Sequence, residues 1–338
     1  MSTIRECPLS GKKVIIAPER LHRPIDFPTS SQMEDDLTLC PFEPGSESAT
    51  PDEIFSLKDQ SGEWITRVVP NRYHALSIEE YKHSAREGFY NCQTGLGAHE
   101  VIIETPIHSL NMDHYTIAQY KAYLKTIISR IKDLREDMRL EYIQVFKNHG
   151  LKAGATLKHP HSQIIATAFI PPHIDRQIQR CRDYYKQHRR PLLLDIVHEE
   201  LHVGERIVYE DETFVAFTPY ASSFAFEVMI APKVQISSIE EISVIQKSNL
   251  SHALKEVYKA LYGVLGEFDF NMLFFNAPPY RDHVRADYFH QMEQFFTFYI
   301  QITPRIYTLA GYELSTDMQI NPITPESAAQ KLQQERNR

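Results

Sequence analysis

Apolar and polar positions along the chain form short segments typical of β-strands, interrupted by one long segment of a different period. WITRVVP and GAHEVII come before that long segment, and EYIQVFKNHG and HSQIIATAFI come after it. Between them, from about residue 112 to 140, apolar residues recur at spacings of three and four among Lys, Arg, Asp and Glu. This period predicts an amphipathic helix. Residues 64–170 are therefore predicted as strand, strand, long helix, strand, strand.

The same order of patterns returns over residues 206–306. ERIVYEDETFVAFTP and FAFEVMIAPK predict paired strands, residues 238–263 predict a helix, and FNMLFFNAPP and FTFYIQITPRI predict two more strands. Since the two rounds share little literal sequence, the repeat is one of architecture. We therefore predict an α+β fold of two duplicated halves, each an antiparallel sheet with a long helix packed on it. The predicted halves are residues 1–172 and 173–338.

Composition and charge limit the classes of protein to consider. The 338 residues are 42% hydrophobic and 24% charged, as is ordinary for a globular enzyme, and 18 Tyr and 18 Phe favour a sheet-rich interior. The formal charge of -8 gives no broad attraction for nucleic acid or an anionic membrane. We expect neither as a partner, and any bound phosphate has to be met by a local cluster of donors.

Targeting signals and cysteine usage predict a cytoplasmic protein. The first residues, MSTIRECPLSGKKVIIAPER, contain no apolar core of a signal peptide, and no segment approaches the roughly 18 apolar residues of a membrane span. The four cysteines, Cys7, Cys40, Cys92 and Cys181, are widely spaced. In a cytoplasmic protein this spacing predicts reduced thiols or one metal ligand rather than disulfides.

Residues 159–163, HPHSQ, open a predicted strand with polar groups. Because alternate residues of a strand share a face, His159, His161 and Gln163 form one row where a core strand would place apolar side chains. The preceding residues 148–156, NHGLKAGAT, are small and glycine-bearing, so their backbone N–H groups can surround an anion. The alternative is a solvent-facing sheet edge with two chance histidines.

The stretch FKNHGLKAGATLKHPHSQIIA resembles the active-site segment of the galactose-1-phosphate uridylyltransferase family, the transferase branch of the histidine-triad superfamily. Hydrolases of that superfamily carry a third histidine where this chain has Gln163. CPLSGKKVIIAPERLHRP, RVVPNRYHAL, GAHEVIIETPIHS and AGYELSTDMQINPITPESAA resemble further blocks of the family in the same order. The resemblance implies two histidine-triad-like halves, a catalytic first and a second that completes its pocket. It also implies a homodimer and no organic cofactor.

In such an enzyme His161 would be a covalent nucleophile. An imidazole both attacks an α-phosphorus and leaves it readily, so a nucleotidyl-histidine divides one transfer into two displacements with ping-pong kinetics. The resemblance implies that a backbone carbonyl near His159 fixes the tautomer of the ring, and that Gln163 stabilises charge on the phosphoryl oxygens. The other phosphate or nucleotide ligands that it implies are Asn71, Asn148, Gly154, Thr156, Arg20 and Arg23, and its acceptor ligands are Glu313 and Gln319.

Several of these positions also have a plainer interpretation. Arg20 and Arg23 match an arginine pair that grips the distal phosphate, but they equally suit a solvated surface after a strand. Glu313 and Gln319 lie in GYELSTDMQ, which also suits a surface segment between a helix and a loop. Arg72 stands where hexose-1-phosphate uridylyltransferases often have an acidic residue, so the base specificity stays open.

The resemblance further implies one structural zinc site. Relatives bind zinc through a Cys-x-x-Cys pair and two histidines, and Cys40, His108 and His159 match three of those positions. The fourth is Glu43, and zinc accepts a carboxylate oxygen as well as a thiolate. A vestigial site whose groups only hydrogen-bond is the alternative. FTFYIQITPR contains no histidine, so a second metal site found in relatives is predicted to be absent and the second half to be a scaffold.

The expected substrates are a nucleotide sugar or nucleoside phosphate and a phosphate-type acceptor. The leading interpretation is a hexose-1-phosphate uridylyltransferase that exchanges UMP between UDP-glucose and galactose 1-phosphate. The alternative is an adenylyl-transferring relative: an ADP-sulfurylase, an ADP-glucose phosphorylase or a dinucleoside-tetraphosphate phosphorylase. Two other classes are a nucleotide-binding module without catalysis and a plain nucleotide hydrolase. The intact His161 argues against the first, and Gln163 in place of a third histidine argues against the second.

Overall fold

The computed structural model describes residues 1–22, 40–279 and 288–338. Its strands are β1 (Thr3–Glu6), β2 (Lys13–Ile16), β3 (Phe55–Lys58), β4 (Trp64–Pro70), β5 (Ser84–Glu87), β6 (Tyr90–Gln93), β7 (Gly97–Ile103), β8 (Tyr142–His149), β9 (His161–Thr167), β10 (Ile207–Glu210), β11 (Phe214–Phe217), β12 (Val228–Pro232), β13 (Phe270–Phe275), β14 (Tyr299–Pro304) and β15 (Gln319–Asn321). Its α-helices are α1 (Ile117–Glu136), α2 (Pro172–His188), α3 (Leu192–Val203), α4 (Val244–Leu265), α5 (Met292–Phe295), α6 (Gly311–Thr316) and α7 (Pro325–Arg336).

A ten-stranded sheet forms the centre of the molecule. Its order is β10-β11-β12-β14-β13-β8-β9-β7-β4-β3, and every neighbouring pair is antiparallel. The two halves join where β8 pairs with β13, with Asn148 directly opposite Asn271. The predicted α+β fold of duplicated halves is confirmed. The sequence did not predict that the sheets of the halves merge into one.

Helices α1 and α4 pack against one face of this sheet, where their buried apolar sides form the main hydrophobic core. The side chain of Thr116 accepts the N–H of Gln119 to begin α1, and Ser243 begins α4 with a reciprocal capping box. The predicted helix from about residue 112 begins instead at Ile117. Met112–His114 forms a separate 3₁₀ turn, and the cap at Thr116 sets the first α-helical turn.

Two smaller apolar clusters cover the opposite face of the sheet. One includes Cys40 and Phe42 and packs on β4 and β7. The other joins α2 and α3 to β11, β12, β13 and β14. The central strands β8 and β9 lie between the two clusters. His161 is on this face because it stands directly opposite Ile103, a member of the first cluster.

Several elements were not predicted from the sequence. They are the strand β3, the exposed hairpin of β5 and β6, the helices α3 and α5, the C-terminal helix α7, and the strands β1 and β15. The segment KKVIIAPER predicts a short strand, and it forms β2, which pairs with β1 and β15 in a small sheet. The division into domains at residues 172 and 173 falls at the first residue of α2 and stays a prediction. All four cysteines are free thiols. Within the described ranges, no helix combines the length and the apolar character that a bilayer span requires.

Candidate active site

His161 opens β9 and is 8% exposed. Its Nδ1 lies 2.8 Å from the carbonyl oxygen of His159. A carbonyl oxygen only accepts, so Nδ1 carries the hydrogen and Nε2 keeps a free lone pair in the neutral ring. Burial lowers the pKa of His161 and favours that neutral form. The ring is therefore held in the tautomer that a nucleophile needs, by the carbonyl that the resemblance implied.

Gln163 lies two residues further along β9, on the same face as His161. Its Oε1 is 2.8 Å from Nε2 of His99 on β7 and 3.4 Å from Nδ2 of Asn71, which follows β4. Among the described residues, the amide nitrogen of Gln163 donates to no protein group. Sequence reasoning named Gln163 and Asn71 but missed His99. The sequence did carry a signal for His99, because this polar residue lies two positions before the buried Val101 and therefore on the same face of β7.

The turn before the motif depends on glycine. Gly150 and Gly154 have φ of +81° and +86°, a region that L-residues rarely adopt. A Cβ on Gly150 would lie 2.1 Å from Oδ1 of Asp269, whose Oδ2 accepts the backbone N–H of Lys152 at 2.6 Å. Nδ2 of Asn148 is 4.0 Å from the position of a Cβ on Gly154. The turn is thus anchored to the second half through Asp269, with the Asn148 amide nitrogen beside it.

A buried charged network lies beneath the site, on the helix-covered face. Nζ of Lys147 is 3.0 Å from both carboxylate oxygens of Glu104 and 3.4 Å from the carbonyl oxygen of His161. The same carboxylate accepts hydrogen bonds from Ser162 at 2.5 Å and Tyr115 at 2.8 Å. These contacts fix the backbone of the first residues of β9. Sequence analysis did not single out this network, although Glu104 directly follows the apolar residues 101–103 of β7.

The four predicted metal ligands meet in one cluster. The ligand atoms of Cys40, Glu43, His108 and His159 all lie within 4.8 Å of one another. Nδ1 of His159 is 3.8 Å from Sγ of Cys40 and 3.2 Å from Oε1 of Glu43, and that same Oε1 pairs with Nδ1 of His108. Nε2 of His159 donates to the carbonyl of Thr105 at 2.8 Å, which leaves Nδ1 as its ligand atom. One thiol, one carboxylate and two imidazoles suit a tetrahedral zinc ion.

The remaining predicted phosphate and acceptor ligands lie at three different places in the structure. Gly154 and Thr156 are exposed at the turn, and Arg20 is exposed on the 3₁₀ turn Pro18–His22. Arg23 lies outside the described residues. Glu313 and Gln319 line one pocket with Phe224, Pro304 and Tyr307, and that lining does not include His161, Gln163 or Asn148.

A neutral, tautomer-fixed histidine beside a glycine turn, on a duplicated α+β fold, is the arrangement that a nucleotidyl-transferring enzyme with a histidine nucleophile requires. The chain belongs to the galactose-1-phosphate uridyl transferase family. The profile of its N-terminal domain matches residues 1–171, and that of its C-terminal domain matches residues 177–337. The predicted family is confirmed, and with it the enzyme class, nucleotidyl transfer.

Relatives of two named activities are similar to nearly the whole chain. An ADP-glucose phosphorylase of Arabidopsis thaliana is 28% identical over 98% of this chain and 92% of its own length. A galactose-1-phosphate uridylyltransferase of Thermotoga maritima is 29% identical over 99% of this chain and 98% of its own length. The two matches differ by one percentage point in identity, so identity does not separate the activities.

Solved structures agree with these matches. An Arabidopsis thaliana ADP-glucose phosphorylase with bound ADP-glucose has a TM-score of 0.83 at 26% identity, covering 98% of this chain and 99% of that chain. A uridylyltransferase structure has a TM-score of 0.75 at 24% identity, covering 100% of this chain and 99% of that chain. The second likeness supports the fold alone.

Proposed function

We propose that the protein transfers a nucleoside monophosphate from a nucleotide sugar to a phosphate-type acceptor through a covalent nucleotidyl-His161. The observation that carries this proposal is the hydrogen bond from Nδ1 of His161 to the carbonyl of His159, 2.8 Å long. It leaves the Nε2 lone pair as the nucleophile.

In the first step, the Nε2 lone pair of His161 forms a bond to the α-phosphorus. The bond from that phosphorus to the bridging oxygen breaks, and the sugar 1-phosphate leaves with the electron pair. In the second step, an acceptor phosphate oxygen attacks the same phosphorus, the N–P bond breaks, and the neutral ring is restored. Phosphoryl transfer of this kind depends on positioned donors rather than further covalent chemistry.

We propose the following donors to the oxygens of that phosphoryl group. Gln163 and Asn148 offer amide NH₂ groups, and Thr156 of the turn offers a hydroxyl. Gly154, whose own N–H donates to the carbonyl of Leu151 at 3.0 Å, gives the turn its shape beside the phosphate. We propose Asn71 as a residue of the nucleotide pocket. Arg20 and Arg23 are proposed to bind the distal phosphate through their guanidinium groups, although Arg20 is exposed in this chain on its own.

Uridylyl transfer between UDP-glucose and galactose 1-phosphate is the first candidate activity, because the family profiles that match the chain carry that name. Adenylyl transfer is the second. It is favoured by the similarity to the ADP-glucose-bound phosphorylase, with a TM-score of 0.83, and by Arg72, which replaces an expected acidic residue next to Asn71. Both candidates use the same His161 chemistry and differ in base and acceptor.

The test is direct labelling of the protein. Wild type is incubated with UDP-glucose or ADP-glucose labelled with ³²P at the α-phosphorus, and with adenylylsulfate labelled at its phosphorus. We expect acid-labile label on the protein from one nucleotide, released by galactose 1-phosphate for the uridylyl candidate or by inorganic phosphate for the phosphorylase. His161→Asn should carry no label and lose about 10⁴-fold or more in turnover. Undiminished turnover of that variant, or steady release of free monophosphate without acceptor, would rule the mechanism out.

We also propose that one structural zinc ion is held by Cys40, Glu43, His108 and His159. The ion would connect His159, at the start of the active-site motif, to the segments that carry Cys40 and His108. The acceptor is proposed to meet Glu313 and Gln319 in a homodimer. The lining of the pocket that contains those two residues does not include His161, which agrees with a role for them in the site of a second copy. Mass measurement in solution tests the dimer. A monomer at micromolar concentration with full activity would contradict it.

A further inference from the structure

The neighbours of Gln163 determine which end of its amide faces the site. The backbone N–H of Ala75 donates to Nδ1 of His99 at 3.1 Å. Because a backbone N–H can only donate, Nδ1 is the unprotonated nitrogen of the neutral ring and Nε2 carries the hydrogen. Nε2 lies 2.8 Å from Oε1 of Gln163. His99 therefore donates to the oxygen of that amide.

Asn71 is a second donor to the same oxygen. Its Oδ1 accepts the backbone N–H of Tyr73 at 2.8 Å, which fixes its own orientation. Its Nδ2 lies 3.1 Å from Nε2 of His99 and 3.4 Å from Oε1 of Gln163. Because the contact with Ala75 puts the hydrogen of His99 on Nε2, Oε1 is the acceptor of the two. With the oxygen held in this way, the NH₂ group of Gln163 is turned away from His99. It is left for a ligand, and two N–H donors are what an anionic phosphoryl group needs.

A second series of hydrogen bonds holds the side chain of Asn148. Nε of Arg305, which can only donate, binds Oδ1 of Asn271. Nδ2 of Asn271 then donates to Oδ1 of Asn148 at 2.8 Å and to the carbonyl of Ala153 at 2.9 Å. The amide of Asn148 is thus held by its oxygen too. Its NH₂ group faces the glycine turn, 4.0 Å from the position of a Cβ on Gly154.

We propose that His99 and Asn271 are positioning residues for the transfer. Each binds the oxygen of one site amide, so that the NH₂ group of Gln163 or Asn148 is directed at the phosphoryl oxygens. The inference rests on the proposed function. An amide without this constraint is nearly symmetric in shape and can turn over. It would then present an oxygen, which repels the anion, in place of two hydrogens.

The strand register explains why His99 can contact Gln163 and why Asn271 can contact Asn148. Val101 stands directly opposite Gln163, and His99 lies two residues before Val101 on the same face of β7. Asn271 stands directly opposite Asn148 across the seam between the halves. One amide is therefore held from within the first half, and the other by the second half.

A matched pair of variants tests the role of His99. His99→Gln keeps an N–H donor near the position of Nε2. His99→Asn keeps an acceptor near Nδ1 for Ala75 but is too short to donate to Gln163. The readout is the single-turnover rate of protein labelling with the nucleotide that labels wild type. We expect His99→Asn to slow labelling about 10- to 100-fold with little change in substrate affinity, and His99→Gln to stay within about threefold of wild type.

The same pair is then made in a Gln163→Ala background. Since His99 acts through Gln163, His99→Asn should change the rate of that background less than about twofold. Equal effects of His99→Asn in both backgrounds, or equal rates for the Asn and Gln variants, would overturn the inference while leaving the mechanism intact. Absence of label on wild type would instead mean that the proposed function has failed.

Asn271→Asp gives an independent measurement for the hydrogen-bond series that runs from Arg305 through Asn271 to Asn148. The carboxylate still accepts from Arg305 but has no hydrogen for Asn148, at nearly unchanged volume. We expect a slower labelling rate, by about tenfold, and no further loss when Asn148→Ala is added. Retention of wild-type rate by Asn271→Asp, or full additivity with Asn148→Ala, would contradict the role of Asn271.

Discussion

Burial sets the protonation of the histidines around the site. His149, which follows Asn148 at the end of β8, stacks on Phe270 with ring centroids 4.9 Å apart. Burial, and then the charge of Lys147, lower its pKa to about 4. The pKa of His161 is lowered by burial as well. Both rings therefore stay neutral at physiological pH. For His161 this preserves the nucleophile, and for His149 it makes folding depend on pH.

The stability of the protein should fall in acid because of His149. In the unfolded chain the ring takes up a proton below pH 6.5, whereas in the folded chain it does so only near pH 4. The unfolded state thus binds more protons between these values, and the free energy of unfolding decreases as pH falls through that window. Between pH 7.5 and 5, His149 contributes a loss of about 2 kcal/mol. Urea unfolding at pH 7.5 and 5 measures it.

His149→Phe keeps the ring stacked on Phe270 and cannot titrate, so it is the matched control. Its unfolding free energy should depend less on pH than that of wild type. An identical pH dependence in the two proteins would show that His149 does not titrate on unfolding as described.

The glycine turn at residues 150–154 is the element that shapes the phosphate side of the site. It leaves β8 with Gly150 at φ +81° and ψ 162° and closes with Gly154 at φ +86° and ψ 17°. The first conformation is essentially restricted to glycine, whereas the second is the left-handed region that other residues enter at a moderate cost. The two glycines also differ in the room that each leaves for a Cβ atom, because only Gly150 lies against Asp269.

Alanine substitution should separate the two glycines. Gly154→Ala meets no close atom and should lower the free energy of unfolding by about 1 kcal/mol. Gly150→Ala adds a clash with Asp269 to a disallowed backbone, so a loss of about 3 kcal/mol or more is expected. Chemical denaturation of both variants checks the order. Equal losses would contradict both the backbone restriction and the contact with Asp269 that set Gly150 apart.

At the scale of the molecule, the two halves have different tasks. β14 of the second half corresponds in strand order to β9 of the first, but its Tyr299 is buried, and its hydroxyl accepts from Gln177 of α2 at 2.9 Å. The second half instead supplies Asp269, Asn271 and Arg305 to the turn and to Asn148. These contacts support its predicted role as the half that completes the pocket.

The candidate metal cluster connects three separate segments of the first half, around residues 40–43, 108 and 159, so metal content reports on the assembly of that half. We expect about one zinc ion per chain in wild type and about none in Cys40→Ala. Glu43→Cys restores a Cys-x-x-Cys pair and should retain zinc against a chelator for longer than wild type does. Elemental analysis and thermal unfolding with and without chelator measure both. Equal metal content in wild type and Cys40→Ala would exclude this site.

The sequence by itself determined the periodic elements, the duplication and the shared face of His161 and Gln163. These follow from side-chain alternation within one strand or helix, which needs no knowledge of distant residues. The motif likewise identified the family. Helix α3 and the strands β1 and β15, which flank the predicted β2, were missed because their short patterns are decided by packing against the rest of the molecule.

Only the tertiary structure decided how the site is held in place. His99 and Gln163 are 64 residues apart, Asn271 and Asn148 are 123 apart, and Lys147 and Glu104 are 43 apart. Periodicity says which face a residue occupies but not which strand will pair beside it. Strand register and the joining of the two sheets bring these partners within hydrogen-bond distance, so the orientation of the amides and the buried ion pair emerge only in the folded chain.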